Sequence, residues 1–113
     1  MDCIFCKIAA GEIPADVVYQ DEELIAFRDI QPQAPKHIVI ISRTHIISIA
    51  QLIEEQQELI GHLILVARDI AEKESISNSG YRLTTNCGAD AGQLVPHLHF
   101  HLLGGRRLSD ELA

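Results

Sequence analysis

The segment from His97 to Leu103 alternates histidine with apolar residues, and this pattern constrains the fold more than any other feature of the chain. It reads His-Leu-His-Phe-His-Leu-Leu. Because successive side chains on a β-strand point to opposite faces, His97, His99 and His101 are predicted to share one face, while the apolar residues between them face a core. Neighbouring histidines on such a row are about 7 Å apart, close enough to act jointly on one ligand.

A row of three histidines is open to more than one interpretation. It can be a solvated polar face that happens to be rich in histidine. It can also chelate a metal ion, since imidazole is the commonest metal ligand in proteins. A third interpretation is joint action on a bound substrate, because neutral imidazole has an unperturbed pKa of about 6.5 and is reactive near neutral pH.

The remaining periodicities predict an α+β domain with a five-stranded antiparallel sheet and one long helix, because strands and helix do not alternate as βαβ units. Ser48 and Gln51 resemble a capping box at the start of the helix. The predicted elements are a hairpin of two strands within 17–29, a strand at 37–42, the helix at 52–74, a strand at 81–86 and the final strand at 97–103.

Length and charge restrict the partners. With 113 residues and 47% apolar content, the chain is expected to form a single domain over 1–113. Nine basic residues against sixteen acidic ones give a formal charge of −7, so long nucleic acid is not an expected partner. The apolar stretches are shorter than the ~20 residues that cross a bilayer, and the N-terminus lacks a secretory pattern. We therefore expect a soluble, cytoplasmic protein with no membrane partner.

The histidine pattern resembles the motif of the histidine triad superfamily, in which three histidines alternate with apolar residues and two further apolar residues follow. The chain is most similar to its branch of nucleotide-binding nucleoside phosphoramidases. The matching segments are 4–8 (IFCKI), 12–15 (EIPA), 27–30 (FRDI), 32–35 (PQAP), 61–63 (GHL) and 103–106 (LGGR). The resemblance implies a short N-terminal helix, a homodimer with a joined sheet, and hydrolysis at the α-phosphate of purine nucleoside 5′-phosphoramidates, with acyl or aminoacyl adenylates as related substrates.

The resemblance also assigns catalytic roles. His99 corresponds to the nucleophile that forms a nucleotidyl-histidine, with its second ring nitrogen donating to a main-chain carbonyl on the same strand. His101 corresponds to the residue that contacts the phosphate and helps to protonate the departing group. His37 is expected to support these two.

A second set of residues corresponds to the nucleotide-binding positions of the family. Backbone amides around Gly92 and the side chain of Gln93 would donate to the phosphate, with Asn86 in the same cluster. Asp29 would accept hydrogen bonds from the ribose hydroxyls. Leu94 stands where the branch usually has a hydroxyl residue, so one side-chain contact to the phosphate or leaving group is missing. The expected apolar slot for the base consists of Ile4, Phe5, Ile8 and Ile30.

Cys3 and Cys6 form a Cys-x-x-Cys pair, which by itself fits two unligated thiols, a redox pair or half of a zinc site. Some members of the superfamily complete such a pair with two histidines, which correspond here to His45 and His97. The resemblance therefore implies a closed, structural zinc site and no organic cofactor.

Two other functions compete with phosphoramidate hydrolysis. One is cleavage of dinucleoside polyphosphates, as in another branch of the superfamily, although the Gly104-Gly105-Arg106 ending favours the first branch. The other is a nucleotide-binding or partner-binding module whose catalysis is incidental. Turnover of a substrate panel separates these alternatives.

Overall fold

A computed structural model describes residues 3–110, in which five antiparallel strands form one sheet. The sheet order is β1-β2-β3-β5-β4, so β1 and β4 are the edge strands. This architecture confirms the α+β prediction. The strands are β1 (Val17–Gln20), β2 (Leu24–Arg28), β3 (Lys36–Ser42), β4 (Tyr81–Thr84) and β5 (His99–Gly104).

One helix packs on each face of the sheet. The short helix α1 (Ile4–Ala9) places Ile8 against one face, and the long helix α2 (Gln57–Lys73) covers the other. The central strand β3 is buried on both faces, which explains its continuous run of β-branched residues. Its side chains alternate between the two cores, with Ile38 and Ile40 on the α2 side and Val39 and Ile41 on the α1 side.

The long helix begins later than its apolar periodicity predicts. Residues 49–56 form two 3₁₀ turns, Ile49–Gln51 and Glu54–Gln56, and the backbone between them is extended at Leu52. The Ser48 hydroxyl accepts from the Ala50 amide and donates to the side chain of Gln51. The predicted capping pair therefore caps the first 3₁₀ turn and not α2. Periodicity missed this boundary because consecutive turns keep the apolar residues on one side.

The strands around the histidine row are shorter than predicted. β4 ends at Thr84 rather than Asn86, and β5 begins at His99 rather than His97. The last rung between β3 and β5 joins Ile41 to His99, because β3 ends at the next residue. His97 therefore lies in the bend that leads into β5.

Within residues 3–110, no helix combines the length and the apolar character that crossing a bilayer requires.

Candidate active site and metal centre

The three histidines of the row lie on the α1 side of the sheet. The ring of Phe5, on α1, makes edge contacts with His97 and His99 at centroid distances of 5.9 and 5.0 Å. The rings of His99 and His101 are 5.1 Å apart and also meet edge to face. This is closer than the spacing of about 7 Å between alternate residues along a strand. The apolar residues between the histidines belong to the core on the α2 side.

The buried ring of His99 is oriented by the backbone of its own segment. Its Nδ1 lies 2.6 Å from the carbonyl oxygen of His97. Since a carbonyl only accepts, Nδ1 carries a hydrogen. In the neutral tautomer the lone pair is therefore on Nε2, which lies away from the carbonyl.

His37 on β3 joins this cluster from the neighbouring strand. Its Nε2 lies 2.9 Å from Nδ1 of His101 and 3.5 Å from a carboxylate oxygen of Asp29. Burial lowers the pKa of His37, although Asp29 opposes this shift. Burial, followed by the neighbouring His99 and His37, lowers the pKa of His101 to about 4. Both imidazoles are therefore neutral at neutral pH.

An apolar cleft of about 180 Å³ lies beside the histidine row, between α1 and the ends of β2. Ile30, at its rim, is 95% exposed. The backbone amide of Gln31 donates to one oxygen of Asp29, which holds this carboxylate at the cleft. All of the predicted base-slot residues line the cleft together with Asp29 and others: Ile4, Phe5, Ile8, Ile13, Pro14, Ala15, Phe27, Arg28, Asp29, Ile30 and Val39.

The loop after β4 is held closed by Gln93. Its side-chain nitrogen Nε2 donates to the carbonyl oxygens of Ile47 and Val95, and its side-chain oxygen Oε1 accepts from the backbone amide of Gly88. Both N–H groups of Gln93 are thus used within the protein. For this side chain to donate to a phosphate, as the family resemblance implies, it would have to exchange one of these internal hydrogen bonds.

The other loop positions differ in their surroundings. Gly92 has a φ of 81°, a left-handed conformation that favours glycine. Asn86 is half-buried at the start of the loop. Leu94 is 92% exposed and contributes no hydrogen-bonding side chain.

The four predicted metal ligands lie together at the N-terminal end of α1. They are Cys3, Cys6, His45 and His97. Their donor atoms all lie within 4.8 Å of one another. Sγ of Cys6 is 3.1 Å from Nδ1 of His45, and Sγ of Cys3 is 3.3 Å from Nδ1 of His97. These residues could hold a metal ion.

The fully buried ring of His97 is prepared for such a role. Its Nε2 lies 2.6 Å from the carbonyl oxygen of Ser42, which only accepts, so the hydrogen is on Nε2. The lone pair of Nδ1 therefore faces the two thiols, as a metal ligand requires. Burial lowers the pKa of His97, which favours the neutral ring.

Comparison with known proteins places this fold and this site in a family. Residues 10–108 match the family model described as HIT domain. The chain belongs to the HIT domain family. It is 49% identical over 112 residues to the purine nucleoside phosphoramidase of Escherichia coli K12, covering 99% of this chain and 94% of that protein.

Solved structures of HIT proteins have the same fold. A HIT family hydrolase from Legionella pneumophila superposes with a TM-score of 0.96 at 46% identity, covering 99% of this chain and 100% of the other. A histidine triad protein from Clostridium difficile gives a TM-score of 0.94 at 42% identity, covering 97% and 96% of the two chains. The family predicted from the histidine pattern is confirmed.

Sequence reasoning missed several residues of the site. Ile13, Pro14 and Ala15 line the cleft, although the motif that contains them was noted only as a family signature. The amide of Gln33 lies 3.0 Å from Nδ1 of His37. No residue-type signal could reveal this contact, because it involves only the main chain of Gln33.

The position of the loop is predicted to depend on Gln93. Gln93→Ala removes the acceptor of the Gly88 amide and the donor to the Ile47 carbonyl, while the Val95 carbonyl keeps the His97 amide as a donor. We therefore expect the free energy of unfolding to fall by about 1–2 kcal/mol. Hydrogen exchange of the Gly88 amide should become faster. Leu94→Ala is the matched control, since that side chain is exposed, and it should change neither quantity. Unaltered exchange at Gly88 in Gln93→Ala would contradict this role.

Proposed function

We propose that this protein hydrolyses purine nucleoside 5′-phosphoramidates at the α-phosphate through a covalent intermediate on His99. The observation that carries the proposal is the bond from Nδ1 of His99 to the carbonyl oxygen of His97, which leaves Nε2 as a fixed nucleophile. The relationship to the E. coli purine nucleoside phosphoramidase supports the substrate class. Acyl and aminoacyl adenylates share the same adenylated α-phosphate and are proposed as related substrates.

The cleft supports the binding mode. A purine base would occupy the apolar space between Ile4, Phe5 and Ile30, where planar rings gain by excluding water. Asp29 would accept hydrogen bonds from the ribose hydroxyls. The phosphate would then lie near His99 and receive hydrogen bonds from backbone amides around Gly92, which supply partial positive charge in an acidic chain.

The reaction divides into two displacements. In the first, the lone pair of His99 Nε2 forms a bond to phosphorus while the bond from phosphorus to the leaving nitrogen breaks. The departing amine takes up a proton from water. In the second, water attacks phosphorus, the bond to Nε2 breaks, and neutral His99 is regenerated with release of the nucleoside monophosphate and a proton.

His101 and His37 support these steps as neutral groups. The low pKa of His101 makes its cation scarce at neutral pH. This favours hydrogen bonding to the phosphate over the proton delivery that the family resemblance implied. Stabilisation of developing charge by such fixed donors is a large term in acyl- and phosphoryl-transfer catalysis.

His99→Ala is predicted to abolish covalent catalysis while the fold remains. We expect turnover of adenosine 5′-phosphoramidate to fall by at least ~10³, since only positioning of the substrate remains. Mononucleotide affinity should be largely retained. Mass spectrometry of a quenched reaction should detect a nucleotidyl adduct on wild type and none on the variant.

A histidine outside the site provides the matched control. His62 is on α2, on the face of the sheet opposite the histidine row, and its ring contacts Asp21. His62→Ala should therefore still form the adduct. Near wild-type turnover by His99→Ala would show that the covalent mechanism is wrong. If wild type hydrolyses diadenosine polyphosphates faster than phosphoramidates, the proposed substrate class is wrong and dinucleoside polyphosphates take its place.

We also propose that Cys3, Cys6, His45 and His97 hold a structural zinc ion. The fit of the donor set is the supporting observation, since two thiols and two correctly oriented imidazole nitrogens match the ligands of closed zinc sites. When bound, zinc would tie α1 to the segment that enters β5. Both cysteines are free thiols, the state that the cytoplasm maintains and that zinc ligation needs, and we propose a cytoplasmic location.

Metal analysis tests the zinc proposal. Wild type purified without chelator should contain about one zinc per chain, whereas Cys6→Ser should contain far less and melt at a lower temperature. Cys87→Ser is the matched control, because this cysteine contacts Ser48 outside the cluster. Equal zinc contents in Cys6→Ser and Cys87→Ser would contradict the assignment.

We further propose that two copies associate through β4 and the outer face of α2. The other edge strand, β1, is irregular, with a register shift between Val17 and Tyr19, and such bulges discourage edge pairing. The register of β4 against β5 is regular. The outer face of α2 exposes Ile64 and Leu65, at 42% and 50%, which a second copy would cover.

Light scattering at micromolar concentration tests this association. Wild type should have twice the chain mass, and Leu65→Glu should shift the population toward monomer because it places a charge in the proposed interface. Glu22→Lys, in the turn before β2, should remain dimeric. A monomeric wild type, or a dimeric Leu65→Glu, would rule out this interface.

A further inference from the structure

A chain of hydrogen bonds runs from the end of β5 back into the active site. The Arg106 guanidinium donates to the carbonyl oxygen of Gln33 at 2.7 Å, and the amide of Gln33 donates to Nδ1 of His37 at 3.0 Å. Nε2 of His37 then lies 2.9 Å from Nδ1 of His101. Only the last pair belongs to the histidine cluster itself.

The Gln33 amide determines the direction of the two hydrogen bonds that His37 makes, one to this amide and one to His101. A backbone N–H only donates, so Nδ1 of His37 must accept and the hydrogen of the neutral ring is on Nε2. His37 therefore donates to Nδ1 of His101. The hydrogen of neutral His101 is consequently on Nε2, the nitrogen that remains for a ligand.

The same series of hydrogen bonds keeps the imidazoles of His37 and His101 neutral. An additional proton on His101 Nδ1 would face the hydrogen of His37, and one on His37 Nδ1 would face the Gln33 amide. The other titratable groups around His101 are His99 on β5 and Asp29 after β2; His99 disfavours its protonation and Asp29 favours it. The direction of the pKa shifts of His37 and His101 agrees with this geometry.

The Gln33 amide lies in an exposed loop, so its position depends on what holds the loop. Gly105 has a φ of 97°, and a Cβ at this position would come within 2.9 Å of Pro35. The turn therefore packs directly on the loop, as only glycine allows, and directs Arg106 onto the Gln33 carbonyl. The Gly104-Gly105-Arg106 segment thus acts on the loop that orients His37.

We propose that Arg106 and the backbone amide of Gln33 are positioning groups that keep the hydrogen of His101 on the nitrogen facing the reacting phosphate. This inference rests on the proposed function for its catalytic consequence. Without these groups, His37 can move its hydrogen to Nδ1. His101 then carries its hydrogen on Nδ1 and presents a lone pair, which repels an anionic phosphate.

Nitrogen-15 NMR of the imidazoles tests the tautomer without any substrate. In wild type, His101 should show a protonated Nε2 and an unprotonated Nδ1. Gln33→Pro, which removes the amide hydrogen, and Arg106→Ala should both populate the opposite tautomer. Gln33→Ala keeps the amide and should retain the wild-type tautomer, and Arg106→Lys, which keeps a cationic donor, should be intermediate.

Kinetics provide the second test. Arg106→Ala should lower kcat/KM for adenosine 5′-phosphoramidate about 10-fold near pH 8, a small part of what donor groups contribute to catalysis. The loss should shrink only as the pH approaches the His101 pKa of about 4, because a protonated His101 carries a hydrogen on Nε2 whatever its neutral tautomer. Arg107→Ala, which loses only an exposed ion pair with Asp110, is the matched control and should behave as wild type.

The outcomes separate this inference from the proposed function. Circular dichroism and melting temperature identify variants that fail to fold, and Arg106→Ala replaces Gln33→Pro if the proline is not accommodated. An unchanged His101 tautomer in a folded Arg106→Ala, or an activity loss that does not vary with pH, overturns the inference. If wild type hydrolyses no phosphoramidate, the proposed function fails, and the NMR result alone decides whether the chain of bonds sets the tautomer.

Discussion

The pairing of β3 with β5 is the constraint on which the rest of the molecule depends. Ile38 pairs with Leu102, Val39 with His101 and Ile41 with His99, so each rung places matched side chains on the same face. A shift of one residue would move the histidines into the core beneath α2 and expose the apolar residues between them. The burial of both faces therefore fixes the register, and the register fixes the position of the histidine row.

His97 connects three parts of the site through different atoms. Its ring Nε2 donates to the Ser42 carbonyl, its Nδ1 faces the thiols of Cys3 and Cys6, and its own carbonyl orients His99. Helix α1 has only six residues and would be marginal alone. Its contacts with the histidine row, His45 and His97 give it a fixed position, and it in turn forms one wall of the cleft.

The site has little positive charge, yet it offers hydrogen-bond donors that suit an anion. The chain has a formal charge of −7, and His37 and His101 are held neutral by burial and by their neighbours. The loop around Gly92 offers backbone amides, while Gln93 serves to hold that loop. Neutral donors in fixed positions need little reorganisation during a reaction, which is the physical basis of preorganised catalysis.

The sequence by itself determined the sheet, the long helix, the family and the shared face of the three histidines, because strand alternation and apolar periodicity are local properties of a chain. It also identified the four residues of the possible metal site, through a family pattern. The tertiary structure alone decided where α2 and β5 begin. It also decided that the Gln93 side chain forms its hydrogen bonds within the protein, and that the Gln33 amide contacts His37. These features depend on backbone groups meeting across the fold, and a backbone N–H or carbonyl is the same in nearly every residue type, so no sequence pattern can signal such contacts.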